Sequence, residues 1–312
     1  MAQDIFSQVN LPRVYRRRRL VNKIMLGLTA LTLILALIPL VWIIVYVLIK
    51  GGRHINLDFF IHLPQPMGTT GGGILHAIEG SLVMVILASV FSIPPALLAA
   101  FYLTTHDSTP LASAIRFSTD LLAGVPSIIV GLFGYAIIVL AQKHYSALAG
   151  GVVLGMIMLP VVIRSAEEML KLVPPDLRAG SLALGAPEWK TAIRVVLPAA
   201  AEGIITGIML GVARATGETA PLLFTALGND NYEIGKMVKQ GIAHNQSIFA
   251  ILGRIFEQPA DALPLTLWKY AQQPYPERVE QSWAVALVLM LFVLALNILA
   301  RVWIARRRSA LQ

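Results

Sequence analysis

Arg214 and Glu218 are the residues whose types and spacing point most directly to chemistry. They lie four positions apart and are the only charged residues in the apolar stretch 203–229. This spacing puts both side chains on one face of a helix. The stretch is long enough to span a membrane and is centred on residue 216, so each charge would lie roughly 3 Å from the middle. A lone Arg at that depth costs at least ~2.5–3.5 kcal/mol on insertion scales, so the pair must face protein or water.

Two interpretations of this pair are open from the residues alone. In the first, Arg214 and Glu218 form an ion pair that locks neighbouring helices together. In the second, Arg214 presents positive charge to an anion while Glu218 holds the orientation of the guanidinium. Charged residues inside membrane spans tend to be functional, which favours the second interpretation.

The composition predicts a membrane protein. Hydrophobic residues make up 56% of the 312 residues, charged residues only 13%, and the mean hydropathy is +0.71. The formal charge of +8 does not indicate nucleic acid binding, because the basic residues mostly flank apolar stretches. The chain has no Cys, which excludes disulfides and thiolate metal sites.

Six apolar stretches are long enough to cross a bilayer as helices, and an all-α integral membrane fold is therefore expected. The predicted spans are Ile24–Ile49, Gly80–Thr105, Leu121–Gln142, His144–Ile163, Gly203–Asn229 and Gln281–Ala300.

Lys and Arg are distributed unevenly between the two sides of these spans. If the N-terminus is cytoplasmic, the inside segments hold sixteen of them and the outside segments eight. The positive-inside rule therefore predicts that both termini are cytoplasmic. On this basis residues 1–23 form a basic cytoplasmic lead, 24–305 the transmembrane domain, and 306–312 a basic cytoplasmic tail. The basic residues of the lead are interpreted as a topology anchor, and contact with anionic membrane lipid or nucleic acid is the alternative.

An enzyme active site, a cofactor site or a metal site is not expected on this chain. No Walker-type sequence and no Gly-x-Ser-x-Gly elbow occurs. The six His residues lie in or near loops and span boundaries, and no two of them lie four positions apart.

The predicted cytoplasmic loop 166–199 is too elaborate for a simple connector. Pro174-Pro175-Asp176 is a helix start, with Pro in the first turn and an acid near the positive end of the helix dipole. Gly185 is a plausible helix-terminating residue, and Pro187-Glu188 starts the next helix. A compact helix–Gly–helix projection is therefore predicted, and we call 166–199 the coupling loop. An amphipathic helix lying on lipid is the alternative.

The coupling loop resembles the EAA loop of bacterial ABC importer permeases. In that family the pattern is Glu-Ala-Ala, three residues, Gly, nine residues and Ile-x-Leu-Pro. The Gly falls on Gly185, while Ala179, Gly180 and Ser181 occupy the Glu-Ala-Ala positions, so the Glu is absent. The resemblance implies that the loop docks on a separate ATP-hydrolysing subunit. The residues it assigns to this coupling are Arg178, Ala179, Gly180, Ser181, Leu184, Gly185, Leu197 and Pro198.

The string from Ala213 to Phe224 resembles the corresponding span of phosphate-importer permeases of the A type. The strings 124–131 and 159–168 resemble that family as well. The resemblance implies a type I ABC importer permease fold with six spans, in a multi-pass protein of the bacterial cytoplasmic membrane. It implies a solute path that includes Arg214, Glu218, Arg164, Thr216 and Thr219.

The same resemblance implies a set of partners. They are a homologous C-type permease, two copies of a cytoplasmic ATPase that binds ATP with Mg, a phosphate-binding protein and inorganic phosphate itself. The predicted extracytoplasmic segment 228–281 would receive the phosphate-binding protein.

The resulting hypothesis is a permease that imports phosphate by alternating access, driven by ATP on other subunits. A permease for another oxyanion or a phosphonate is an alternative, since an Arg/Glu pair does not encode tetrahedral geometry. An ion-coupled carrier would require inverted repeats, which are not evident. A membrane signalling or scaffold component, with a purely structural charge pair, is the remaining alternative.

Overall fold

A computed structural model describes residues 13–66, 69 and 71–309, and this part of the chain is helical with connecting turns. The helices are α1 Arg13–Gly52, α2 Leu57–Ile61, α3 Leu75–Thr105, α4 Pro110–Gly124, α5 Ser127–Gln142, α6 Ala147–Lys171, α7 Pro175–Ala183, α8 Glu188–Thr216, α9 Ala220–Thr225, α10 Ile234–Ala243, α11 Ile248–Glu257, α12 Leu263–Ala271 and α13 Pro276–Ser309. The predicted lead 1–23 lies partly, and the tail 306–312 partly, outside the described residues.

Two compact units make up the chain, 1–50 and 51–312. In the described part of the first unit, α1 is one long apolar helix that can cross a membrane by itself. In the second unit, α3, α6, α8 and α13 are each long and apolar enough to do so. The pair α4 and α5 passes the same test as one bent span, which brings the described residues to the six predicted spans.

The third predicted span is not a straight helix. It is interrupted at Val125 and Pro126, and α4 and α5 meet there at an angle of 104°. Pro126 supplies the physical reason, because proline restricts the preceding residue to extended backbone, and Val125 adopts φ −72° and ψ 130°.

The prediction of one continuous helix over 203–229 is wrong. The helix that crosses here is α8, which begins at Glu188, ends at Thr216 and is followed by the short helix α9. The apolar composition continues through the break, so it conceals the end of the helix. Thr216 is therefore the end of the helix and not its middle.

Glycines bring the long helices of the second unit into close contact around α6. Gly203, Gly207 and Gly211 form a row on α8, and a Cβ on each would meet a side chain of α6 at 3.0 Å or less. Such rows of small residues let helix backbones approach closely, which is how helices associate when lipid offers no hydrophobic driving force. Gly150 and Gly151 of α6 make the same kind of approach to α3.

Polar contacts show which segments share an end of this bundle. At one end, Leu263 N donates to Ser81 Oγ over 2.8 Å, and Ala147 N donates to Gln258 O over 2.8 Å. The starts of α3 and α6 therefore meet the 228–281 segment. The far ends of α3 and α6 meet near the coupling loop, where Arg116 Nη2 donates to Leu103 O. The bent span begins at the coupling-loop end, where Arg116 of α4 lies. It finishes at the 228–281 end, because Oε1 of Gln142, the last residue of α5, accepts a hydrogen bond from Oγ of Ser146, just before the start of α6.

Substituting Gly207 tests the close approach of α8 to α6. A Cβ at this position would lie 2.2 Å from Ser165 Cβ, so Gly207→Ala must push two helix backbones apart. We expect a loss of about 1–3 kcal/mol in the free energy of unfolding, measured by thermal unfolding in detergent. Gly253→Ala in α11 is the matched control, because its Cβ would meet nothing within 4 Å. Equal effects of the two substitutions would contradict the packing argument.

Candidate functional site

Arg214 occupies the last turn of α8, immediately before a break in the helical backbone. The helix is capped by Gly217, whose N–H donates to the Arg214 carbonyl over 3.1 Å. The negative end of a helix dipole favours a cation in the last turn, which stabilises Arg214 at this position. Its side chain remains 45% exposed. The guanidinium is therefore held at a helix end and is still accessible.

Glu218 is the one acidic partner that Arg214 has among the described residues, and the pair is loose. Arg214 Nε lies 3.9 Å from Glu218 Oε1, which allows an ion pair but not a hydrogen bond. The predicted pairing is therefore present, although the two residues lie on either side of a helix end and not on one continuous helix. The remaining N–H groups of the guanidinium are unoccupied within the described part of the chain, and they can bind an anion.

The two threonines of the predicted path differ in whether their hydroxyl groups are available to contact a solute. Thr216 is buried, and its hydroxyl donates to Val212 O over 2.7 Å, so it serves the last turn of α8. Thr219 lies in the break, is half-buried, and makes no side-chain cap to α9. Thr219 is thus better placed than Thr216 to contact a solute.

The helices that follow the two breaks of the second unit, α5 and α9, pack against one another. A Cβ on Gly131 in α5 would lie 2.5 Å from Pro221 Cα in α9, and one on Gly134 would lie 3.2 Å from Thr225 Cγ2. Only glycine permits this approach, and both positions are buried. The backbone of α9, which follows the break after Thr216, is thereby covered by α5, as a membrane interior requires.

Arg164 does not stand as an isolated cation. Its guanidinium contacts the carboxylate of Asp120 in α4, and both side chains are about half exposed. The prediction that Arg164 contributes to the solute path is neither confirmed nor contradicted by this contact. The pairing does mean that an anion would compete with Asp120 for Arg164.

An ion-pair network around Arg116 was not evident from the sequence. Arg116 in α4 donates to Glu167 Oε1 of α6 over 2.9 Å and also contacts Asp107. Lys171 Nζ donates to the same Glu167 oxygen over 2.7 Å. The hydrogen bond and charge of Arg116 hold the pKa of Asp107 below its ordinary value. Because Arg116 and Glu167 are 51 positions apart, no local spacing could reveal the pair.

The coupling loop has the predicted helix–Gly–helix form. The helix α7 starts at Pro175, ends at Ala183, and is followed by Gly185 with φ +80°, a left-handed conformation that favours glycine. Ser181 and Thr191 join the two helices through a hydroxyl contact of 2.8 Å. Large apolar side chains on the loop are exposed, notably Leu184 at 90%.

The loop ends in an irregular turn of α8. Residues Ala192–Val196 form a wide turn of helix just before Leu197-Pro198. Pro198 has no N–H to donate to the preceding turn, and a wide turn accommodates that missing bond. Leu197 is half-buried and Pro198 exposed.

Comparison with known proteins identifies the family. Residues 96–309 match the family described as binding-protein-dependent transport system inner membrane component. The phosphate transport system permease protein PstA of Yersinia pestis is 38% identical over 292 residues, which cover 93% of this chain and 92% of the relative. PstA 1 of Mycobacterium tuberculosis H37Rv is 34% identical over 324 residues, covering 100% and 98%. The chain belongs to the PstA family of permeases.

Solved structures give the fold of this PstA-family permease. The methionine ABC transporter MetNI, in a structure described as inward facing, contains a chain that matches it with a TM-score of 0.52 at 17% identity. The match covers 75% of this chain and 94% of that chain. The predicted multi-pass, all-α permease fold of type I ABC importers is therefore confirmed, while the predicted roles of single residues stay predictions.

Two arginines of this permease offer a test of which ion pair matters for stability. Arg116 and Arg164 each bind an acid on a neighbouring helix, but Glu167 is buried and Asp120 is exposed. We expect Arg116→Gln to cost about 1–3 kcal/mol in the free energy of unfolding, because it leaves a buried carboxylate under-satisfied. We expect Arg164→Gln to cost less than about 1 kcal/mol, as exposed pairs do. Chemical denaturation in detergent measures both, and equal losses would contradict this ranking.

Proposed function

We propose that this chain is one of two permease subunits of an ATP-driven importer, and that it carries inorganic phosphate across the cytoplasmic membrane by alternating access. The observation that carries the proposal is the near-full-length similarity to PstA phosphate permeases, at 34–38% identity. The accessible Arg214 at a helix break gives that similarity a chemical basis, since phosphate is an anion at neutral pH.

Arg214 is suited to a passing anion rather than to a tight binding site. A guanidinium donates two parallel hydrogen bonds to phosphate oxygens, which fixes orientation as well as charge. Glu218 stands 3.9 Å away and repels the same anion. Because this repulsion weakens the binding of the anion to Arg214, the anion can be released, which transport requires. Thr219 adds a hydroxyl beside the pair, and Arg164 is a second cation if Asp120 releases it.

The coupling loop supplies the mechanical connection to ATP hydrolysis. ATP with Mg would bind to two copies of a separate ATPase subunit, and Leu184 and Trp189 would enter a groove on one of them. Both side chains are more than 60% exposed, which is costly for large apolar groups unless a partner covers them. Arg178 lies on α7, which ends just before Leu184, and is half-buried. Ala179, which replaces the usual Glu, leaves contact with the ATPase to apolar packing and to Arg178.

The remaining assignments follow from this scheme. Both termini and the coupling loop are cytoplasmic, and the 228–281 segment faces the opposite side, where it receives a phosphate-binding protein. A related C-type permease completes the path. Membrane lipid surrounds the spans, and nucleic acid has no role.

Uptake of labelled phosphate tests the role of Arg214. In cells that lack this chain, complementation with Arg214→Gln should restore at most about one-tenth of wild-type uptake, because two charge-assisted hydrogen bonds are lost. Arg214→Lys should restore more, since it keeps the charge without the paired geometry. Sulfate and molybdate uptake, measured alongside, tests substrate choice.

Arg301→Gln is the control for this experiment. Arg301 is an exposed residue of α13 and lies outside the candidate path, the coupling loop and the 228–281 segment. Its substitution should leave phosphate uptake unchanged. If Arg214→Gln inserts normally and transports phosphate as wild type does, the solute-path role is wrong. If another anion's uptake is lost instead, the substrate is that anion.

Retention of the ATPase tests the coupling loop. Leu184→Ser should reduce co-purification of the ATPase with the permease pair and should lower phosphate-stimulated ATP hydrolysis, because it removes an exposed apolar anchor. Leu57→Ser, at a residue 82% exposed in α2, is the matched control and should affect neither. Normal ATPase retention by Leu184→Ser would exclude this anchor.

A further inference from the structure

A buried cluster of ionisable side chains lies at the 228–281 end of the bundle and belongs neither to the candidate path nor to the coupling loop. It brings His76, at the start of α3, together with Asp230, Asp261 and Lys269. The side chains of His76 and Asp261 are fully buried. Asp230 is 56% exposed and Lys269 26% exposed, so the cluster reaches the surface on one side.

Three donor atoms of this cluster have the spacing of metal ligands. His76 Nε2 lies 3.5 Å from Asp261 Oδ2 and 3.9 Å from Asp230 Oδ1. One donor atom from each residue fits within 4.8 Å of the others. Ligands of one zinc ion lie roughly 3.3–3.6 Å apart, given tetrahedral geometry and metal–ligand distances near 2.0–2.2 Å. Only Asp230, the exposed member, would have to move appreciably.

His76 is a buried histidine that has no hydrogen-bond partner among the described residues. Neither of its ring nitrogens makes a hydrogen bond among the described residues, although the side chain is fully buried. Buried polar atoms nearly always have a partner, so this histidine calls for an explanation. An imidazole nitrogen beside two carboxylate oxygens is a donor set that Zn²⁺ and similar ions accept.

Lys269 shows that this position attracts a cation. Its ammonium contacts Asp261 and lies 2.9 Å from Asp230 Oδ1. The single positive charge of Lys269 balances only one of the two carboxylates, those of Asp230 and Asp261. A divalent cation in its place would balance both. The lysine side chain is long and partly exposed, so its ammonium can withdraw into water.

We propose that His76, Asp230 and Asp261 form a binding site for a divalent transition-metal ion, with Zn²⁺ the best chemical match, and that Lys269 takes the cation's place when no metal is bound. A metal here would join the start of α3 to two loops of the 228–281 segment, which are more than 150 positions away in the sequence. It would stiffen this end of the bundle. The site does not depend on which solute the permease carries.

The test is zinc binding to the full-length chain in lipid nanodiscs, free of affinity-tag histidines, stripped with chelator and kept in buffer without phosphate. Isothermal titration with Zn²⁺ should give one site per chain, and zinc should raise the unfolding temperature. Lys269→Met should tighten binding at least about tenfold, because it removes the competing ammonium without touching a ligand. His76→Gln and Asp230→Asn should each weaken binding about 10- to 100-fold or more.

Two controls separate this site from adventitious surface binding. His244→Gln removes an exposed histidine of the same segment and should leave zinc affinity unchanged. Co²⁺ in place of Zn²⁺ should give the intense visible absorption of a low-coordinate site in wild type and Lys269→Met, and lose it in Asp230→Asn. Asp230 is exposed, so this variant tests the site even where His76→Gln fails to fold. The proposal is overturned if Lys269→Met binds no zinc, or if Asp230→Asn binds it as tightly as wild type.

Discussion

Two interruptions of helical backbone, at Val125–Pro126 and at Gly217–Thr219, impose the constraint on which the rest of the second unit depends. Each frees N–H and C=O groups that lipid cannot satisfy, so the breaks must be covered by protein or line a polar path. The helices that follow the breaks cover one another, because Gly131 and Gly134 of α5 let α9 approach to van der Waals contact. The glycine rows that draw α3 and α8 onto α6 supply the rigid surroundings in which irregular backbone is tolerated.

The break after α8 also changes what the charge pair can do. In a continuous helix, Arg214 and Glu218 would stack on one face and satisfy each other. With the helix ending at Thr216, they approach only to 3.9 Å, and the guanidinium keeps most of its donors. A purely structural lock would be expected to close that gap with direct hydrogen bonds, as Arg116 does with the buried Glu167. The contrast between these two pairs favours a solute-binding role for Arg214.

Sequence reasoning reached those features whose signals are local. The number of spans follows from uncharged runs, and the shape of the coupling loop follows from Pro175, Gly185 and Pro187, whose backbone limits act at their own positions. It failed where an uncharged run continues although the conformation changes, since 219–229 carries no charge although the helix has ended at Thr216. It also could not reach contacts between distant segments. His76 has no ligand four positions away, yet the fold brings it within 4 Å of Asp230 and Asp261.

One helix connects the coupling loop to the candidate path. The helix α8 begins at Glu188 within the loop and ends at Thr216 beside Arg214, a length of roughly 42 Å at 1.5 Å per residue. Its wide turn at Ala192–Val196 lies at the loop end, whereas the rest is packed on α6 through Gly203, Gly207 and Gly211. A push on the loop can therefore be absorbed in that turn or carried by the packed part as a rigid body. Only the second outcome would move Arg214, so in the proposed mechanism the glycine row would set how much motion at the loop reaches the candidate path.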